Sequence, residues 1–171
     1  MDKKFKHYLV EFDSPQIYCD MDGVLADFEK GIKDMIGGKF NDDRWNELPD
    51  DFFLQLEPMP DAIKLWGFIG KYDPFILPAI PRSSRGPISA RAAEDKTRFM
   101  KRWFGVSADK MYPVQRVNKA NFAMDGRDSR PNLLIDDHIK NIQAFRKANG
   151  IGVHHTSASD TIKQLKEIGY K

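Results

Sequence analysis

Hydrophobic and polar positions along this chain fall into blocks whose period changes. Ile17–Cys19 is a short apolar run that reads as a buried strand. From Val24 to Ile36, apolar residues at 24, 25, 28, 32, 35 and 36 follow helical spacing, and Gly37-Gly38 stops the helix. The acidic, aromatic stretch FNDDRWNELPDDFFLQLEPMP, starting at Phe40, has no single period; short helices are expected around Asp42–Glu47 and Pro49–Leu54. Pro60–Lys71 reads as a helix with proline in its first turn. Asp73–Leu77 is a second apolar run bounded by turn residues. PAIPRSSRGPIS, from Pro78, is a loop on composition. Ala90–Phe104 is a strong helix closed by Gly105, and Met111–Gln115 a strand weakened by Pro113. Asn132–Ile135 is a strand ending in Asp136-Asp137. A helix over His138–Ala148, a strand over Ile151–His154 and a helix over Ser159–Ile168, capped by Ser159 or Asp160, complete the pattern.

Strands alternating with helices predict an α/β fold: a parallel sheet with helices on both faces. The 171 residues suit one domain, with a core over about 14–36 and 72–171 and a small helical cap over about 37–71. Parallel sheets bind ligands at the carboxyl ends of their strands. Asp20 and Asp136 both sit at such ends, so they are expected to share one crevice despite their separation in sequence.

Composition narrows the setting. No apolar run approaches the ~20 residues of a membrane span, and the basic N-terminus lacks a signal-peptide core, so a soluble, cytoplasmic protein with no membrane partner is expected. The one cysteine, Cys19, excludes an internal disulfide and reads as a buried structural thiol. Charge is uneven: residues 1–85 carry 11 basic and 16 acidic side chains, the rest 16 and 9. Nucleic acid is one partner that such asymmetry admits. Metal-binding acids placed early and phosphate-binding bases placed late account for it as well, and that is the favoured reading. The oligomeric state is open, a homodimer included.

The candidate chemistry lies in IYCDMDGVLADF, Ile17 to Phe28. Asp20, Asp22 and Asp136 crowded at one sheet edge would repel one another, and some would be forced to protonate. A hard divalent cation reverses that sign. Mg²⁺, which takes oxygen ligands and commonly binds substrate phosphate too, fits best. Gly23 lets the backbone turn sharply beside the pair.

DMDGVLADF resembles the first motif of the haloacid dehalogenase-like phosphohydrolases, DxDGxxxD, and LLIDDHIKNI resembles their fourth. Within that superfamily the chain is most similar to the 5′(3′)-deoxyribonucleotidases, whose cap ends in a stretch like Phe52–Ala62, FFLQLEPMPDA. The likeness runs from about Ile17 to His154. It implies a Rossmann-like core, an Asp20 nucleophile that forms an aspartyl-phosphate, and Asp22 as general acid and then base. It implies Mg²⁺ on Asp20, Asp136 and the Asp22 backbone carbonyl, with Asp137 orienting metal waters. Lys119, in RVNKANF, matches the third-motif lysine that neutralises phosphate and nucleophile. The partner implied is a small-molecule nucleotide.

The match fails at the second motif. A Thr or Ser normally ends strand two there, whereas this chain has Pro78 followed by Ala79. Losing one donor to a developing oxyanion costs on the order of 3 kcal/mol. Arg82 or Ser83, or their neighbours Ser84 and Arg85, are therefore expected to take over the phosphate contact, or else activity is low. Of the cap aromatics Phe40, Trp45, Phe52 and Phe53, either Phe52 or Phe53 is expected to face the substrate. Asp27 reads as structural, His138 as a neighbour of the aspartate pair, and the basic KTRFMKR as a solvated helix face. The expected activity is Mg²⁺-dependent dephosphorylation of (deoxy)ribonucleoside monophosphates. The alternatives are a polynucleotide 3′-phosphatase, a sugar phosphatase, or a weakly catalytic nucleotide-binding protein.

Overall fold

A computed structural model describes residues 14–126 and 128–171. The basic N-terminal segment lies outside the described residues. Four parallel strands form the sheet: β1 (Ile17–Cys19), β2 (Phe75–Ile76), β3 (Leu133–Asp136) and β4 (Ile151–His154), in the order β2-β1-β3-β4. Cys19 pairs with Ile76 on one side and Ile135 on the other, and Asp136 pairs with His154. Alternate residues serve opposite faces, as the two-residue period of a strand requires. Ile17, Cys19, Ile76, Leu133 and Ile135 enter the larger apolar core. Tyr18, Leu77 and Leu134 enter a smaller one with Ala123, Ile142 and Phe145. Both faces are thus covered, and the strands read as continuous apolar runs because of it.

Six helices surround the sheet among the described residues: α1 (Phe28–Met35), α2 (Phe52–Gln55), α3 (Ala62–Ile69), α4 (Pro87–Phe104), α5 (Ile139–Lys147) and α6 (Ala158–Ile168). Among the described residues no helix is long and apolar enough to cross a membrane. Cys19 is fully buried, and burial pushes its thiol well up, as a structural role requires.

Several boundaries differ from those expected. The first helix begins at Phe28, not Val24: the N–H groups of Val24, Leu25 and Ala26 all turn back onto the Met21 carbonyl, burying these side chains in a single tight turn. Asp27 then caps α1, accepting from the Lys30 N–H at 3.0 Å, which bears out its structural reading. Residues 87–89 open α4 rather than lying in a loop, with Pro87 in its first turn. The last helix is capped by Ser157, not by Ser159 or Asp160. Met111–Gln115 makes no regular strand. Pro113 cannot donate, so the segment is held by isolated parallel bridges from Met111 to Ile76 and from Val114 to Ala79.

The stretch between α1 and α3 leaves and returns through one stem. Asp27 N–H donates to the Glu57 carbonyl at 2.8 Å and Met59 N–H to the Leu25 carbonyl at 2.9 Å. Beyond this stem α2 packs on α4, whereas α3 packs on α6 of the core, with Asp61 accepting from the Ala158 N–H at 2.6 Å.

Candidate active site

The carboxyl ends of β1 and β3 bring Asp20 and Asp136 together, and one lysine joins them. Lys119 lies on a 3-10 turn over Arg116–Phe122 and is buried. Its Nζ stands 2.8 Å from Asp20 Oδ1 and 2.7 Å from Asp136 Oδ2. Burial alone would lower its ammonium, but the two carboxylates outweigh it and hold it above the ordinary lysine value. Asp136 is fastened further: the His138 N–H donates to Oδ1 at 2.8 Å, and Asn141 Nδ2 reaches both oxygens, at 3.2 and 3.0 Å. These bonds tie Asp136 to His138, the residue that opens α5, and to Asn141 within it. Asn141, which the sequence did not single out, sits one turn into α5 on its buried side.

Asp20, Asp136 and Asp137 each place a carboxylate oxygen within 4.8 Å of the others. One lysine for three carboxylates leaves an excess of negative charge. Burial, then Asp20, push Asp136 up to about 6 against the pull of Lys119. Burial, then Asp20 and Asp136, push Asp137 up to about 7. The donors are all hard oxygens, so the set fits a cation such as Mg²⁺. Gly23 makes this closeness possible. Its φ is +78°, and a Cβ there would lie 2.1 Å from the Asp137 carboxylate.

Asp22 faces away from that cluster and pairs with Lys96, whose ammonium also lies 4.2 Å from the centre of the Phe53 ring. Lys96 is 0% exposed, which corrects the reading of KTRFMKR as a solvated face at that one position; Arg98, Lys101 and Arg102 are exposed as expected. The signal was present: Ala92, Lys96, Phe99 and Met100 fall on one buried stripe of α4, so a lysine stands where the apolar period asks for a core residue. Burial pushes the Asp22 carboxyl up, and Lys96 opposes it. Asp22 Oδ1 is buried with no hydrogen-bond partner among the described residues.

Asp20, Asp22, Asp137 and Asn141 lie on the lining of a cleft of about 1340 Å³, with Lys96, Lys119 and Asp136 buried behind them. Phe28, Phe40, Trp45 and Phe53 line one wall; Arg82, Ser83, Ser84, Arg85, Arg116 and His138 are also on its lining. Phe52 does not reach the cleft. It is fully buried, packed edge-on against Phe28 and Phe53, and Phe28 takes the wall position instead. Arg85 is engaged by the insert: it donates to the Asp42 carbonyl at 2.6 Å and lies 3.3 Å from that residue's carboxylate. At Pro78 the carbonyl accepts from the Val114 N–H at 3.0 Å, and the position serves as a sheet-edge acceptor with no donor of its own.

A parallel α/β core carrying paired aspartates and a bridging lysine at its carboxyl edge defines the haloacid dehalogenase-like class of hydrolases. Two solved structures share the fold: a hydrolase from Streptococcus pneumoniae TIGR4 (TM-score 0.51, 13% identity, 90% of this chain and 99% of that one) and a haloacid dehalogenase-like hydrolase from Streptococcus pneumoniae (0.50, 10%, 89% and 91%). No family model matches. Among curated proteins the chain is 31% identical over 132 residues, 75% of its length and 69% of the relative's, to the "Putative 5'(3')-deoxyribonucleotidase" of Vibrio phage KVP40. The chain belongs to this 5′(3′)-deoxyribonucleotidase family and is a phosphoric monoester hydrolase.

Proposed function

We propose that the protein removes the phosphate of (deoxy)ribonucleoside monophosphates through an aspartyl-phosphate on Asp20. The observation that carries this reading is the contact of Lys119 with both Asp20 and Asp136 behind an aromatic-walled cleft that Asp20 lines. Asp20 attacks phosphorus, and the bond to the leaving sugar oxygen breaks with its electron pair. Asp22 gives that oxygen a proton. Asp22 then takes a proton from water as the water attacks the acyl phosphate, releasing inorganic phosphate and restoring Asp20. An acid raised by burial suits the first step, and an adjacent ammonium suits the return of the anion.

Asp20, Asp136 and the Asp22 carbonyl would hold Mg²⁺, with Asp137 close enough to join them or to orient bound water. The ion would supply charge neutralisation for phosphate approaching an acidic site. Lys119 bridges Asp20 and Asp136, and Lys96, paired with Asp22, supplies a cation that substitutes for the second motif's missing hydroxyl. Stacking on Phe28, Phe40 or Trp45 suits a nucleobase, at roughly 1–3 kcal/mol per base. Of the residues proposed for the phosphate, Lys119 is buried behind Asp20, whereas Arg82 and Ser83 stand on the exposed lining of the cleft.

The test is phosphate release with MgCl₂ from 5′- and 3′-mononucleotides, sugar phosphates and phosphorylated oligonucleotides. Preference for a mononucleotide is expected; no release from any of them would overturn the phosphatase reading. Pro78 motivates one rival, a nucleotide-binding protein with little turnover. Calorimetric binding of mononucleotides without hydrolysis is the result that would favour it.

A further inference from the structure

Most cations around the cleft are already spent. Lys119 serves Asp20 and Asp136, Lys96 serves Asp22, and Arg85 serves Asp42. Arg82 and Arg116 are different. Both line the cleft, both are exposed, and neither has a carboxylate partner among the described residues. They are brought side by side by the backbone. Ile80 N–H donates to the Val114 carbonyl at 2.9 Å, and Gln115 Nε2 donates to the Pro81 carbonyl at 3.3 Å. Each arginine is the next residue along from that junction, so two guanidinium groups leave neighbouring points of one rim. The cleft's size is in keeping with a ligand that extends to them. At about 1340 Å³ it exceeds the roughly 300–1,000 Å³ of ordinary small-molecule pockets.

The geometry points to a second anion subsite, formed by Arg82 and Arg116, for a nucleotide carrying another phosphate on its sugar besides the one removed at Asp20. Guanidinium groups match phosphate oxygens two at a time, and an unpaired pair at a rim costs nothing to free for a ligand. Two substrates share this chemistry: a nucleoside 3′,5′-bisphosphate and the terminal nucleotide of a phosphorylated strand. The inference rests on the proposal that the cleft floor takes a nucleotide phosphate.

Binding to an Asp20→Asn protein, measured by calorimetry with MgCl₂, tests it without turnover. The probes are thymidine 5′- and 3′-monophosphate, thymidine 3′,5′-bisphosphate, and thymidine dinucleotides phosphorylated at the 5′ or the 3′ end. The bisphosphate is expected to bind about tenfold or more tightly than either monophosphate, an advantage that shrinks with added salt. In an Arg82→Ala/Arg116→Ala background that advantage falls below about threefold. Arg82→Lys/Arg116→Lys, which keeps the charge, retains part of it. Dinucleotide affinity equal to the bisphosphate's supports the subsite and assigns it to strand ends; weaker dinucleotide binding supports it and assigns the free bisphosphate. Equal affinity for bisphosphate and monophosphates, or an advantage that survives the double alanine variant, overturns the subsite alone. Failure of every thymidine nucleotide to bind overturns the nucleotide reading beneath it.

Discussion

The carboxyl ends of β1 and β3 and the carboxyl end of β2 are adjacent in one sheet, yet they are built on opposite terms. At β1 and β3 the backbone ends in acids, and Asp20, Asp136 and Lys119 form a charged joint with every member buried. At β2 the backbone ends in Pro78-Ala79, which offer only a carbonyl to Val114. A cation reaches the site from another element: Lys96 arrives from α4 and meets Asp22 beside the Phe53 ring, and it is the proposed substitute for the missing hydroxyl. Chemistry at a strand end can thus be carried by the strand's own residues or brought in by a helix packed on it. The two solutions differ in what a substitution breaks.

The largest effect is expected at the proposed nucleophile. Asp20→Asn removes the carboxylate proposed to attack but keeps its shape and a partner for Lys119. Phosphate release is expected to fall by about 10⁴-fold or more, since no other group at the β1 end forms the covalent intermediate. Retained mononucleotide binding by calorimetry, with hydrolysis lost, is the expected pair of readings. Hydrolysis at the wild-type rate would remove Asp20 from the mechanism.

Next comes the shared lysine. Lys119→Met strips the cation from two buried carboxylates at once. Breaking a buried pair costs about 3–5 kcal/mol, and this joint has two. A large drop in Tm is expected, partly restored by MgCl₂, together with a loss of activity on the order of 10³-fold. Unchanged Tm in metal-free buffer would show that the joint contributes nothing to folding.

Lys96→Met tests the imported charge. Lys96 has a single carboxylate partner, and the Asp22 side chain is 25% exposed, so the stability cost is expected to be smaller than at Lys119. The functional cost is expected near 10²-fold in kcat/KM, the worth of one donor at a developing oxyanion. The pH profile separates this from mere unfolding. Lys96 now opposes the upward push of burial on Asp22. Without it the Asp22 carboxyl rises further and stays protonated to higher pH. If Asp22 is the acid, the alkaline limb of kcat/KM then moves upward, and a downward or absent shift would count against that role.

This contrast also explains what the sequence disclosed. Asp20, Asp22, Asp136 and Lys119 were legible because strand ends and local motifs fix them, and both layers of the sheet followed from apolar runs that alternate with helical periods. Lys96 stayed hidden because a lysine beside Phe99 and Met100 looks solvated until its neighbours in space are known. Phe53, one of the two expected alternatives, lines the cleft, whereas Phe28 was missed because the apolar period through Val24 placed it inside one continuous helix, and the chain closes a separate turn on Met21 before α1 begins. The Met111–Gln115 segment kept a strand's position but lost its regular pairing at Pro113. The charge pairing of Arg85 and Arg82 lay beyond sequence reasoning altogether, since one meets Asp42 and the other has no carboxylate partner among the described residues.

The smallest effect is the one that sharpens the comparison most. Pro78→Thr restores the hydroxyl that relatives of this class place at the end of strand two. If the hydroxyl's absence were uncompensated, restoring it would raise kcat/KM by up to about a hundredfold. If Lys96, held at Asp22, already supplies that stabilisation, the added donor has little left to do. A change under about threefold is expected, less than 1 kcal/mol in the barrier. Replacing proline also frees the unfolded chain, at a cost of about 0.4–1 kcal/mol in stability, so Tm is expected to fall slightly while turnover holds. The same substitution made in the Lys96→Met background is the decisive arm. There the hydroxyl has no competitor, and a gain of tenfold or more would show that the two groups do the same work. An equally small gain in both backgrounds would mean that Lys96 does not stand in for the missing hydroxyl.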